Sequence, residues 1–125
     1  MTQNKNYRGF RDLKVNQLSY ELALEIFELT KTFPKEEKYS LIDQIRRSSR
    51  SVSTSIAEAW YKRKYPKSFV SKLIDVAGEA GETEVWIDFS FAQGYLHNIK
   101  REYLLEKYNE VGKKKEELWK KNFIY

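Results

Sequence analysis

Residues 41–60 read LIDQIRRSSRSVSTSIAEAW. Leu41, Ile45, Ser49, Val52, Ile56 and Trp60 recur at steps of three and four, with Ile42 and Ala59 beside them. That spacing places them on one face of an α-helix. Between Ser48 and Ser55 the face offers mostly Ser, Thr and Val, and small side chains let a neighbouring helix come close. Arg46, Arg47 and Arg50 ride on the same segment, and Arg46 and Arg50, one turn apart, share a face. The stretch combines a packing seam, a small-residue strip and a cationic ridge.

On either side of it the chain reads as helix. Phe10 and Leu13 anchor the start of a first helix, with Asp12 as its N-cap, running to about Lys31. Its apolar positions are Leu18, Leu22, Ile26 and Leu29, joined by Ala23 and Phe27, and its outer face carries Glu21, Glu25 and Glu28. Phe33-Pro34 ends it, because a residue before proline is pushed out of the α region. Pro34-Lys35-Glu36-Glu37 restarts helix, with acidic residues at the positive end of the dipole, and this second helix continues to about Arg63. Tyr65-Pro66 breaks it, and Pro66 opens a third helix reaching Gly94, which is placed as a C-terminal stop. The third helix carries a stripe of Phe69, Leu73, Val76, Ala80, Thr83, Ile87 and Phe91. Ala77, Gly78 and Gly81 form a second, very small surface that close helix packing would explain. Asn98 is read as the N-cap of a fourth helix to about Lys121, with Ile99, Tyr103, Leu104, Tyr108, Val111, Leu118 and Trp119 as its apolar positions. Short connections between long helices imply antiparallel neighbours, so the fold class is all-α, an up-down-up-down four-helix bundle. Residues 1–9 are expected to be a flexible segment, and residues 10–125 a single domain.

Composition agrees. The chain has 125 residues, 41% apolar and 33% charged, with five glycines, two prolines and no cysteine. This excludes a disulfide framework and a thiolate metal site. No run approaches the roughly 18 apolar residues of a membrane span, and the start carries no apolar signal core. A soluble, cytoplasmic protein with no membrane partner is expected. The net charge of +5 is unevenly spread: residues 31–67 carry ten basic and four acidic groups, and residues 68–96 one basic and five acidic.

The order FRDL, FPKEEKYSL, QIRRSSRSVSTSIAEAW and AGEAGETEVWIDFSFAQGYL resembles the four-helix bundle proteins of the ribosomal RNA intervening-sequence family, often encoded within bacterial large-subunit ribosomal RNA genes. The resemblance spans about Phe10 to Trp119. The family signature usually reads close to SIPSNIAEG, whereas here Ser53, Ser55 and Ala59 stand where it has proline, asparagine and glycine. Without the proline the second helix should be straighter, and without the asparagine an amide that could bridge helices is missing. The resemblance implies a bundle that assembles as a ring, typically a pentamer. A relative of the family, the accessory protein of diversity-generating retroelements, is a basic pentameric barrel that works with a reverse transcriptase and binds nucleic acid.

Catalytic chemistry finds little footing. His97 is the only histidine, at the turn between the third and fourth helices, and makes no zinc site alone. The serines at 48, 49, 51, 53 and 55 lack a positioned base other than Glu58. Glu82, Glu84 and Asp88 lack the Glu-x-x-His pairs of a di-iron bundle. No phosphate-cradling glycine loop occurs. No enzyme and no cofactor are expected. Arg46 and Arg47 admit a structural reading, pairing with Glu58 or Glu84, and with Arg50 they admit a phosphate-binding one. Lys62, Arg63 and Lys64, flanked by Tyr61, Tyr65 and Lys67, are the stronger nucleic-acid candidates, because tyrosines stack on unpaired bases. The alternative is a turn whose cations complement the helix dipole. Lys113–Lys115 and Lys120-Lys121, interrupted by Glu116 and Glu117, read as a solvated face. Trp86, Phe89 and Phe91 cannot all be buried on one seam, which supports a homo-oligomer.

Two functions are carried forward. One is a homo-oligomeric, pentameric bundle binding RNA or DNA without sequence preference through Arg46, Arg47, Arg50, Lys62, Arg63 and Lys64. The other is a protein–protein adaptor or scaffold whose charges serve ring assembly, with Asp75, Glu79, Glu82, Trp86 and Asp88 at the subunit interface.

Overall fold

A computed structural model describes residues 7–124. Four helices run up, down, up and down: α1 (Lys14–Thr30), α2 (Asp43–Tyr61), α3 (Pro66–Ala92) and α4 (Asn98–Ile124). A 3-10 turn, Phe10–Asp12, precedes α1, and a 3-10 turn, Lys35–Glu37, leads through a π-helical turn, Lys38–Ile42, into α2. No strand occurs among the described residues.

Helix α2 forms where the 41–60 pattern places it. Ile45, Val52, Ile56 and Ala59 are fully or almost fully buried, and so are Ser48 and Ser49. Its most extensive contact is with α3, whose Val76, Ala80, Thr83 and Ile87 face it across the core. Small hydroxyls make this approach close without leaving polar atoms stranded. Ser48 and Thr83 share a buried hydrogen bond at 2.8 Å, and Thr83 Oγ1 also lies 2.8 Å from the Glu79 carbonyl. A buried hydroxyl without a partner would cost about 1–3 kcal/mol, so this pairing is what permits the polar seam.

The signature departures have visible consequences. With Ser53 in place of proline, α2 runs unbroken from Asp43 to Tyr61. The bridging amide comes from the other helix: Asn16 of α1 donates through Nδ2 to the Ser53 carbonyl at 3.1 Å and lies 3.3 Å from its hydroxyl.

Helix ends are governed by short-range chemistry. Pro66 stands at the start of α3, where its missing N–H is harmless. Gly94 has φ of +81°, the Tyr95 N–H reaches the Ser90 carbonyl at 2.9 Å, and the Gly94 N–H reaches Phe91 at 3.0 Å. These are the paired bonds of a glycine-terminated helix end. Two expected N-caps are displaced. Asp12 closes the preceding 3-10 turn and accepts the Arg8 backbone N–H at 2.8 Å, so Leu13 precedes α1 instead. Asn98 is the first residue of α4, and the His97 carbonyl accepts the first helical bond, from Arg101. Helix α2 ends at Tyr61 and α3 at Ala92, two residues short of expectation in each case.

Two apolar stripes need correction. In α3 the buried line ends on Ser90, whose hydroxyl returns to the Trp86 carbonyl at 2.8 Å, while Phe91 is exposed. In α4 the buried line is Leu104, Tyr108 and Val111, with Leu118 half-buried. Ile99, Tyr103 and Trp119 lie one position off it and are exposed. One position is about 100° of helical turn, enough to move a side chain from core to flank. Residues 1–6 of the expected flexible segment lie outside the described residues. Tyr7 packs its ring edge-on to Trp60, centroids 6.2 Å apart.

Gly94→Ala is expected to destabilise the fold by about 1–2 kcal/mol, because an L side chain is strained at positive φ. Urea unfolding of the variant measures it, and an unchanged midpoint would show the corner is not held as described.

Candidate nucleic-acid interface

The three arginines of α2 point to three different environments. Arg46 is tied to α1: its Nε donates to Thr30 Oγ1 at 2.8 Å, its Nη2 to the Phe27 carbonyl at 3.2 Å, and its guanidinium lies 4.3 Å from the Phe27 ring centre. It satisfies carbonyl and hydroxyl groups at the C-terminal end of α1, a place cations favour. Arg47 turns the other way and bridges to α3, pairing with Glu82 and lying 3.9 Å from Glu79. The partner for this ridge is thus Glu82 of the same chain rather than Glu58 or Glu84. Arg50 is exposed, stands 5.5 Å from the Phe27 ring centre, and has no carboxylate within ion-pair distance among the described residues.

Most acidic groups expected at a subunit interface are engaged within the chain. Besides Glu79 and Glu82, Asp75 pairs with Lys72 at 3.2 Å, and Asp88 with Arg101 at 2.9 Å. Lys72 also meets Glu58 at 3.1 Å, and the hydrogen bonds to Glu58 and then Asp75 hold its ammonium above the usual lysine range. Trp86 is half-buried, donates its indole N–H to Glu82 at 3.1 Å and packs against the Phe89 ring. Glu84 is pushed up, by burial first and the neighbouring Asp88 second. No cluster of His, Cys, Asp and Glu fit for a metal occurs among the described residues. No described helix is long and apolar enough to cross a membrane.

Lys62, Arg63 and Lys64 form the turn between α2 and α3. Lys62 and Lys64 are exposed, as are Tyr61 and Tyr65. Arg63 lies over Trp60, 3.8 Å from the ring centre, and donates to the Trp60 carbonyl at 2.7 Å. The antiparallel topology brings other basic segments to this end. The start of α1 arrives with Arg8, Arg11 and Lys14, and Phe10 packs on Tyr61 with centroids 6.3 Å apart. The end of α4 arrives with Lys114 and Lys121, which line one groove with Tyr7, Lys14, Glu117 and Leu118. The lysines of α4, read from sequence as a separate solvated face, therefore lie at the same end of the bundle as Lys62 and Lys64, beside Lys14. Helix order and direction were the signals that could have joined them. The result is a four-helix bundle with one strongly basic end.

The chain belongs to the 23S rRNA-intervening sequence protein family, whose model matches residues 11–116. Among solved structures it is similar to a protein of unknown function from the S23 ribosomal protein family of Bacteroides thetaiotaomicron. The two share 29% identity over 85% of this chain and 95% of the other, with a TM-score of 0.74. No curated protein matches. Neither the family nor this structure indicates an enzyme.

Arg46→Ala is expected to lower stability by about 1.5 kcal/mol, because it strips two charge-assisted hydrogen bonds from α1. Arg50→Ala is expected to change it by less than about 0.5 kcal/mol. Chemical denaturation of both variants checks this, and equal losses would contradict the division of labour between the two arginines.

Proposed function

We propose that this protein is a self-associating, cytoplasmic helical bundle that binds nucleic acid through phosphate contacts without reading sequence. The observation that carries the reading is the basic end. Segments from the start of α1, the α2–α3 turn and the end of α4 meet there, with Arg8, Arg11, Lys14, Lys62, Lys64, Lys67, Lys120 and Lys121 all exposed. Cations gathered this way displace counterions from a phosphate backbone, and the affinity falls steeply as salt rises. The family description, tied to sequences intervening in 23S rRNA, is compatible with an RNA context.

Self-association has its own support. Ile74, Val85 and Phe89 of α3 are exposed at 64%, 49% and 49%, and Gly78 and Gly81 share their helical face. No atom of the described chain outside the local helix backbone lies within 4 Å of where a Cβ would sit on either glycine. A glycine inside a helix costs about 1 kcal/mol relative to alanine, and nothing within the chain offsets it. A second copy of the chain seated on this face would. A closed ring, of five subunits in the family analogy, would repeat the basic end and multiply weak phosphate contacts through avidity. The adaptor reading, which spends the charges on assembly, is less favoured, because Arg47, Asp75, Glu79, Glu82 and Asp88 are already paired within one chain.

Fluorescence anisotropy with labelled RNA and DNA across a salt series tests binding. The double variant Lys62→Glu/Lys64→Glu is expected to weaken binding at least tenfold and to flatten the salt slope by about two units, with solution mass unchanged. Unaltered binding would refute the basic end as the contact. Gly81→Leu should instead reduce the solution mass measured by light scattering, since the added side chain meets nothing in the monomer. An unchanged mass would remove α3 as the subunit contact.

A further inference from the structure

We propose that the outer α1/α2 face is a track for one unpaired nucleic-acid strand, leading to the basic end. This rests on the nucleic-acid reading above and specifies its substrate. The first observation is a crowd of cations around one ring. Lys31 Nζ lies 5.1 Å, the Arg46 guanidinium 4.3 Å and the Arg50 guanidinium 5.5 Å from the centre of Phe27. Lys31 is paired with Glu28 at 3.0 Å, and Asp43 lines the same groove as Arg46 and Arg50. Cations gathered over one ring, Arg50 among them without a carboxylate, suit a phosphate through charge-assisted contacts.

The second observation is what continues from that point. Arg50, Thr54, Ala57 and Tyr61 follow one another at steps of four, three and four along α2. Tyr20, Ala23 and Phe27 do the same on α1. The register between the helices is set by Arg46 on Thr30, Asn16 on Ser53 and Phe10 on Tyr61, so the two rows run side by side on the outer α1/α2 face. Tyr20 is 57% exposed and Tyr61 71%, with Ala57 between them and Ala23 between Tyr20 and Phe27. Asp43 and Glu28 stand at the cationic start of this face, and the carboxylates further along turn elsewhere. Glu21 and Glu25 share the opposite flank of α1, where Glu25 holds Lys100 and Tyr103 of α4, and Glu58 holds Lys72 of α3.

A cationic start, open aromatic rings on a floor of small residues and a cationic finish suit a single strand rather than a duplex. A duplex buries its base faces against each other and uses only the phosphates. An unpaired strand offers both, and each base stacked on an aromatic side chain contributes about 1–3 kcal/mol. From Arg50 to Tyr61 the helix advances roughly 16 Å at about 1.5 Å per residue, room for a short stretch of extended strand.

The test is anisotropy with a fluorescein-labelled single strand of mixed sequence, as RNA and as DNA, against a blunt duplex of the same length. The single strand is expected to bind about tenfold or more tighter than the duplex. Tyr20→Ala and Tyr61→Ala should each weaken single-strand binding roughly tenfold and leave duplex binding unchanged, while Tyr20→Phe keeps it. Both tyrosines are exposed, so circular dichroism of the variants should match that of the parent. Equal affinity for duplex and single strand, or tyrosine variants without effect while Lys62→Glu/Lys64→Glu abolishes binding, would overturn the track and leave the basic end standing. Absence of binding to every probe at low salt would overturn both.

Discussion

The close approach of α2 and α3 is the contact on which the rest of the molecule depends. It is made possible by hydroxyls, not by large apolar groups, and the Ser48–Thr83 pair satisfies both partners inside the core. Because the seam is narrow, Arg47 can reach Glu79 and Glu82 across it. On the opposite flank the same helix is fixed to α1 through Asn16 and Arg46. Helix α2 is therefore the hub. Its flanks decide which of its charges serve the fold and which face solvent, and Arg50 is left outward because neither flank offers it a carboxylate.

That division was only partly legible in the sequence. The seam of α2, the start of α3 at Pro66 and the stop at Gly94 could be read because each depends on local spacing or on the backbone limits of one residue. Family membership was legible too, since its motifs are contiguous. The roles of Arg46 and Arg47 were not. Adjacent residues on a helix point about 100° apart, and which direction meets an acceptor depends on a neighbour far away in sequence. Thr30 and Glu82 decide the matter, and nothing local in QIRRSS announces them. The caps failed for a related reason. Asp12 and Asn98 have the right chemistry, but a preceding 3-10 turn claimed one, and the His97 carbonyl took the boundary from the other.

Helix four carries two apolar lines. Reading Ile99, Tyr103 and Trp119 together with Leu104, Tyr108, Val111 and Leu118 merges them, and only the second line carries the core. The sequence allows both lines, since large apolar residues stand on each. What separates them is the space left by the other three helices. The same three-dimensional information joined the lysines of α4 to the α2–α3 turn, which no count of charges along the chain could do.

The arrangement of faces makes the proposed assembly compatible with the proposed binding. Helices α1 and α3 each pack on both α2 and α4, so they occupy diagonal corners of the bundle. Their outer surfaces point away from each other. The surface of α3 is apolar and small, with Ile74, Val85 and Phe89 around two glycines, whereas the α1/α2 surface is cationic and aromatic. A partner copy could therefore cover the outer surface of α3 without burying the cationic face. Had the basic residues lain on α3, burial of the apolar stripe would have forced their desolvation, which costs several kcal/mol per unpaired ion. Placement of the two sets of residues on different outer faces removes that conflict. Under the proposed function, it would let one small domain carry a contact surface for itself and another for a polyanion.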